Sequence, residues 1–280
     1  MCRMLLSIGL NNIQPLLKSI ESISNDQTTL HEFHQTIPHG QYTHHDGWGA
    51  ALLQKNATCK LHHSTLPFPQ DLVRKEIFLP NSSNSPNKEN PQLLLLHLRR
   101  KSKGECSEYN THPFTATIQN PKTNHPTQFF FAHNGNIDHN IPYDKKFTTH
   151  GTTDSEQLFY SILSKPTFWN EPAHAIATSL REHSSRGSNI ILTSKEFSII
   201  GLAPTVFPTY FTMHIGQSVR PSVGQNMEKN TRSTIISSEP LLNLNNFVWS
   251  KLNPNTICII NHQTQELTTT KLDTYTSNAE

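Results

Sequence analysis

The sequence predicts an α+β fold dominated by strands. Three observations lead there. Apolar runs of strand length recur along the 280 residues, from the first ten to the last thirty. Only two or three segments carry the 3.6-residue apolar period of an amphipathic helix. Strand and helix do not alternate strictly, and no G-x-G-x-x-G or P-loop run occurs, so a dinucleotide-binding βαβ fold has no support.

The elements follow in order. Cys2 to Leu10 predicts a first strand, with Met4, Leu5, Leu6, Ile8 and Leu10 apolar. A helix is expected near Pro15, which suits a first helical turn, with Leu16, Leu17, Ile20 and Ile23 on one face. Residues 31–45 form a histidine-rich segment read as a solvated polar loop: His31 and His34 have only Glu32 close by, and no cysteine frame completes a tetrahedral site. Trp48 to Leu53 is a second strand, entered through Gly47 and Gly49, and Ala57 to Leu66 can pair with it. Gln92 to Leu98 and Gln128 to His133 are apolar enough to be buried on both faces. Thr153 and Glu156 have capping-box spacing at the start of a helix buried through Leu158, Phe159, Ile162 and Leu163. A further helix is expected over 171–181. Strands are expected over 189–193, 197–201, 209–214, 234–238, 256–261 and 266–271. Polar loops fall near 80–91 and 216–230, neither a domain boundary, so residues 1–280 are expected to form one domain.

Composition narrows the function classes. The chain is 34% hydrophobic and 16% charged, with a net charge of +2 and no dense Lys/Arg run, which argues against nucleic acid as the main partner. No apolar stretch is long enough for a membrane span and no signal-peptide pattern opens the chain, so a cytoplasmic protein is expected. Cys2, Cys59, Cys106 and Cys258 lie far apart with no C-x-x-C pair, which points away from a zinc site or a disulfide framework. No metal and no cofactor is expected.

The chemistry is expected around residue 2. Cysteine is small enough for methionine aminopeptidase to remove Met1, leaving one residue with a thiol and a free α-amine. The usual pKa values are about 8.5 and about 8, so the amine can take the thiol proton near neutrality, the logic of an N-terminal threonine nucleophile. Other polar residues stand at the ends of apolar strands, where a rigid scaffold can present them. Arg99 can grip a carboxylate through a planar fork, or serve as a strand-end ion pair. Asn134-Gly135 can supply a side-chain amide and an unhindered backbone N–H to an oxyanion, or form an ordinary turn. Asp154 can meet a substrate ammonium, or only a helix dipole. A thiol, two oxyanion donors, a carboxylate clamp and an ammonium clamp together describe a site for a γ-glutamyl amide.

Met1-Cys2-Arg3, Asp46-Gly47-Trp48-Gly49, His97-Leu98-Arg99, Asn110-Thr111-His112-Pro113-Phe114, His133-Asn134-Gly135, Gly151 to Glu156 and Ser238-Glu239-Pro240-Leu241 are the runs through which the chain resembles the class II glutamine amidotransferases of the N-terminal-nucleophile hydrolase superfamily. Each run is weak alone; their order from residue 1 to beyond 240 is specific. Within them it looks like the short stand-alone branch that includes the γ-glutamyl amidohydrolase of ergothioneine biosynthesis and the amidotransferase-like subunit of glutathione degradation. The resemblance implies a four-layer αββα sandwich of two antiparallel sheets. It implies Cys2 as nucleophile with its α-amine as base, Asn134 and Gly135 as the oxyanion hole, and Arg99 and Asp154 as the substrate clamps. Asp46, Trp48 and His112 are implied to shape the site. After Arg99 the sequence departs from the family's small residue and threonine, reading Arg100-Lys101-Ser102, so the loop over the glutamyl group is expected to pack differently.

The expected activity is cysteine-dependent hydrolysis of a γ-glutamyl amide, glutamine or another γ-glutamyl compound, through a thioester on Cys2. The chain ends without room for a synthase domain, so transfer of ammonia would need a separate synthase chain; a peptidase subunit is another conceivable partner, and self-association stays open. The alternatives are the glutaminase subunit of a two-chain amidotransferase, an N-terminal-cysteine acylase of other amides, and a non-catalytic glutamyl-binding subunit.

Overall fold

The computed structural model describes residues 2–10, 12–54, 59–78, 91–102, 104–184, 186–219 and 233–275. Two antiparallel sheets stack face to face. The seven-stranded sheet runs in the order β11 (Phe247–Leu252), β9 (Met213–Ser218), β10 (Thr234–Ser237), β1 (Arg3–Ile8), β4 (Pro91–Leu98), β2 (Trp48–Gln54), β3 (Cys59–Ser64). The six-stranded sheet runs β13 (Leu267–Lys271), β12 (Thr256–Asn261), β8 (Phe197–Leu202), β7 (Ser188–Thr193), β6 (Pro126–Gly135), β5 (Phe114–Gln119). Among the described residues four α-helices flank them: α1 (Leu16–Ser24), α2 (Val73–Phe78), α3 (Asp154–Ser164) and α4 (Pro172–His183).

The two-residue period of the strands builds the layers. Met4, Leu6 and Ile8 of β1 face the other sheet with Leu93 and Leu95 of β4, and meet Phe130 and Ala132 of β6 and Ile191 of β7. The alternate residues face outward. Leu5, Leu94 and Leu96 pack under Leu16, Ile20 and Ile23 of α1 and under Phe78 of α2. Phe129 and Phe131 of β6 pack under Leu158, Phe159 and Ile162 of α3 and Ile176 and Leu180 of α4. Both faces of the central strands are therefore apolar, and the architecture is the expected αββα sandwich.

Three expectations are corrected. Strand β9 begins at Met213, not 209, because the backbone N–H groups of Thr209 and Tyr210 are held by the Glu32 carboxylate and the Asn189 amide donates to the carbonyl of Phe211. Gly216 lies in β9 rather than in a polar loop. The 31–45 segment is only partly a solvated loop: Phe33, Gln35, Thr36 and residues 38–41 are exposed, but His31 and His44 are buried, and part of it forms a short 3-10 turn over Glu32–Gln35. Strands β5 and β11 and helix α2 had no clear apolar period to announce them. The polar segments at 80–90 and 220–230 lie outside the described residues. Among the described residues no helix is long and apolar enough to cross a membrane.

Candidate active site

The runs singled out in the sequence converge at one end of the sandwich. Cys2 immediately precedes β1, which pairs Arg3 with Leu98 of β4, so Arg99 and Arg100 emerge beside the thiol. The N–H of Arg100 points at Cys2 Sγ from 3.4 Å. Asn134 arrives from the other sheet, next to last in β6. Its Oδ1 accepts from the backbone N–H of Cys2 at 3.1 Å. That bond fixes the amide's orientation, and Nδ2 is left buried without a hydrogen bond among the described residues. A buried, unpaired donor is costly unless something arrives to accept from it.

Gly135 follows, and a Cβ there would come within 2.3 Å of His133 Nε2. The His133 imidazole bridges Ser155 at the start of α3 and Ser188 at the start of β7, both at 2.8 Å. Burial pushes its pKa down to about 4 against the opposing pull of Asp154, so it is a neutral strut near neutrality. Glycine at 135 is thus needed for the strut to fit.

Arg99 is buried, and its Nη1 donates to the carbonyl of Glu105 at 2.9 Å. Asp46 holds the same loop by accepting from the N–H of Lys101 at 2.7 Å. Lys101 itself is exposed, so its bulk is accommodated outside the packed structure. The Asn110 amide ties the Arg99 loop to the entry of α3, donating to Glu105 O and Thr152 Oγ1 and accepting from the N–H of Thr152. Thr153 caps α3 as expected, receiving the Glu156 N–H at 3.4 Å. The Glu156 carboxylate reaches further back than a capping box requires, to the N–H groups of His150 and Gly151. Asp154 accepts from the N–H of Ile137 at 2.7 Å, which fixes the segment leaving Asn134-Gly135.

Trp48 and His112 stand apart from this ring. Trp48 is fully buried on the helix-facing side, against Phe68, with its indole N–H on Asp71 at 3.1 Å. The His112 ring packs on His97 at 4.2 Å, and burial holds it well below the usual histidine range. Their runs meet through backbone instead: a Cβ on Gly49 would lie 2.2 Å from the His112 carbonyl oxygen.

Tyr210 escaped the sequence reading, and Arg3 and Glu239 lay in runs singled out there without a role of their own. Tyr210 donates its hydroxyl to the carbonyl of Cys2 at 3.0 Å. Its ring lies 4.1 Å under the Arg3 guanidinium. Arg3 Nε pairs with Glu239 at 2.7 Å, both side chains almost fully buried. Burial raises the Glu239 carboxyl to about 7, against the lowering influence of Arg3 and the Leu30 N–H. Such a buried pair fixes geometry more than it adds stability. Glu239 sits there because Ser238 extends the β1–β10 pairing, exchanging bonds with Met4. Tyr210 gave no signal, standing in a turn that resembles a strand in composition.

The profile of the class II glutamine amidotransferases matches residues 23–186 of the 280. The chain belongs to that family. Arg99, Asn134, Gly135 and Asp154 fall within the match; Cys2 precedes it. No curated protein matches the sequence significantly.

Solved structures agree on the fold. The glutamine phosphoribosylpyrophosphate amidotransferase of B. subtilis superposes with a TM-score of 0.61 at 14% identity, over 99% of this chain and 50% of that one. The chain thus spans half the length of that protein. A class II glutamine aminotransferase domain protein from Silicibacter pomeroyi gives a TM-score of 0.54 at 17% identity, covering 96% and 99% of the two chains. A glutamine amidotransferase predicted from the Pseudomonas aeruginosa genome gives 0.52 at 14%, covering 95% of each.

Proposed function

We propose that this amidotransferase-family protein is a γ-glutamyl amidohydrolase whose nucleophile is the thiol of Cys2, exposed by removal of Met1. The observation that carries the reading is the Asn134 amide, with Oδ1 on the Cys2 nitrogen and Nδ2 buried and unpaired. Once Met1 is gone, that nitrogen is the α-amine, and Asn134 Oδ1 orients it. The amine takes the thiol proton, and Sγ attacks the γ-carbonyl carbon to form a C–S bond. The oxygen gains charge facing Asn134 Nδ2 and the Gly135 N–H, donors worth ~100–1,000-fold each in such sites. The Arg100 N–H steadies charge on sulfur. Collapse breaks the C–N bond, and the amine's proton leaves with the departing amine. Water, deprotonated by the same α-amine, then cleaves the thioester to glutamate.

In this reading Arg99 binds the substrate's α-carboxylate and Asp154 its α-ammonium, while Asp46 holds the covering loop. Trp48 and His112 support from the packed interior. The inter-sheet core supports treating the chain as one amidotransferase domain; the substrate in this reading is a small γ-glutamyl compound.

Intact mass before and after the glutamine analogue 6-diazo-5-oxo-norleucine tests this. Loss of Met1 followed by one covalent adduct, absent in Cys2→Ala, is expected. A processed chain that takes no adduct would move the reading to an acylase of other amides; a retained Met1 with no adduct would move it to a binding subunit.

A further inference from the structure

The segment from Asn25 to Asp46 holds five histidines, and it is folded around a carboxylate eight residues upstream of His34. Asp26 is fully buried at a positive φ of 57°. Its Oδ2 accepts the backbone N–H groups of Gly40 at 2.9 Å and Tyr42 at 2.7 Å. Its Oδ1 accepts the Thr29 hydroxyl and faces His34 Nε2 at 3.1 Å.

The far sides of the rings decide what can lie between them. His34 Nδ1 is 3.0 Å from the carbonyl oxygen of Ile37, and His39 Nδ1 is 3.1 Å from the carbonyl oxygen of Asp26. A carbonyl only accepts, so each Nδ1 carries the proton and each neutral ring presents Nε2 as a lone pair. A ring nitrogen held by N–H to backbone carbonyl on its opposite side is the outer arrangement of metal-bound histidines. The two rings stack with centroids 4.0 Å apart. One nitrogen from each and one Asp26 oxygen all lie within 4.8 Å of one another. His34 Nε2 stands 3.1 Å from Asp26 Oδ1, an ion-pair distance when that nitrogen carries a proton and a ligand-to-ligand distance when a cation takes the proton's place. Two ligands each ~2.0–2.1 Å from a tetrahedral zinc stand ~3.3 Å from each other.

We propose that Asp26, His34 and His39 bind a divalent transition cation, zinc by preference, with the remaining position left to water. Two imidazoles with one carboxylate suit zinc and disfavour magnesium or calcium, which take oxygen ligands. The cation would be structural. The carboxylate that binds it also holds Tyr42, whose ring lies 4.2 Å under the Arg100 guanidinium. The same segment carries His31, which packs on Tyr210 at 4.7 Å.

The test is calorimetric titration of EDTA-treated full-length protein carrying Cys2→Ala and Cys106→Ser with zinc chloride, the active-site and exposed thiols being removed so that neither binds the metal. One equivalent per chain is expected. Adding His39→Ala, at an exposed position, is expected to weaken binding ~100-fold, since outer-shell changes alone cost ~10–100-fold. His139→Ala, in the separate His139–His183 pair, is expected to bind as the parent does. No binding to the parent, a change below tenfold in His39→Ala, or an equal loss in His139→Ala would each overturn the proposal. None of these outcomes depends on the γ-glutamyl chemistry at Cys2.

Discussion

The carboxamide oxygen of Asn134 lies 3.1 Å from the backbone nitrogen of Cys2, so a side chain from the six-stranded sheet sets the position of the residue that opens the seven-stranded one. The same side chain's Nδ2 is buried and makes no hydrogen bond among the described residues. Replacing Asn134 by Ala should lower kcat for glutamine hydrolysis by ~100–1,000-fold, the usual effect of losing one oxyanion donor. KM should change far less, because the donor meets charge that exists only in the transition state. Steady-state glutaminase assays with ammonia detection check this; a change confined to KM would place Asn134 in ground-state binding.

Tyr210 touches the same residue through the Cys2 carbonyl. Tyr210→Phe keeps the ring under Arg3 and against His31 but deletes that bond. An expected loss of ~0.5–1.5 kcal/mol in unfolding free energy follows from one hydrogen bond, with a fall in kcat as the nucleophile loses its anchor. Denaturant unfolding and the glutaminase assay together read both. Unchanged values in both would remove Tyr210 from the site.

Gly49→Ala should destabilise the fold by ~1–3 kcal/mol or more, the range for overpacking. The new methyl would meet backbone on two sides, the carbonyl oxygens of His112 at 2.2 Å and His62 at 2.9 Å, and neither is the end of a flexible side chain. Thermal unfolding of the purified variant checks it, and an unchanged Tm would show that the 110–113 segment can move aside.

Acid should loosen the fold between about pH 6.5 and 4. Burial lowers His133 to about 4 and His97 to about 3, and burial with the nearby Arg3 lowers His31 to about 4. A histidine depressed in the folded state binds its proton first in the unfolded state. The stability it contributes is therefore whole above about 6.5 and is lost as pH falls toward the folded value. Each such group adds a slope of up to ~1.4 kcal/mol per pH unit. Glu239, raised to about 7 by burial, acts in the opposite sense, its contribution being lost as pH rises from about 4.5 to 7. Three histidines against one carboxyl leave Tm falling on acidification. His133→Asn should flatten that fall, as measured by Tm from pH 7.5 to 5; an equally steep fall would show that His133 does not titrate in this range.

How far the sequence revealed the molecule follows from where information is local. Strands such as β1, β4 and β6 could be read because both faces are apolar and runs like Leu93 to Leu96 need no partner to identify them. The cap at Thr153 was readable because its spacing is a property of three consecutive bonds. Strand β11 alternates buried and exposed only partly, with Val248 in solvent, and its pairing to β9 is a tertiary matter. The strand-end positions of Arg99 and Asn134 could be anticipated from the ends of apolar runs. Tyr210 and Asp26 could not, since what makes them important is a contact with residues 208 and 8 positions away. Trp48 lay in a recognisable run, yet its side chain serves the interior, because in a strand only alternate residues can face the same cleft.

The inter-sheet layer is made of Leu, Ile, Met and Phe contacts, which resist separation but offer little resistance to sliding. Cys2 and Asn134 ride on opposite slabs of that seam. Turnover should therefore act as a vernier on slab alignment, failing after a shift of a fraction of an ångström. A cavity cut into the seam, as by Ile200→Ala, is then expected to silence the enzyme at temperatures where its circular dichroism still reports intact sheets.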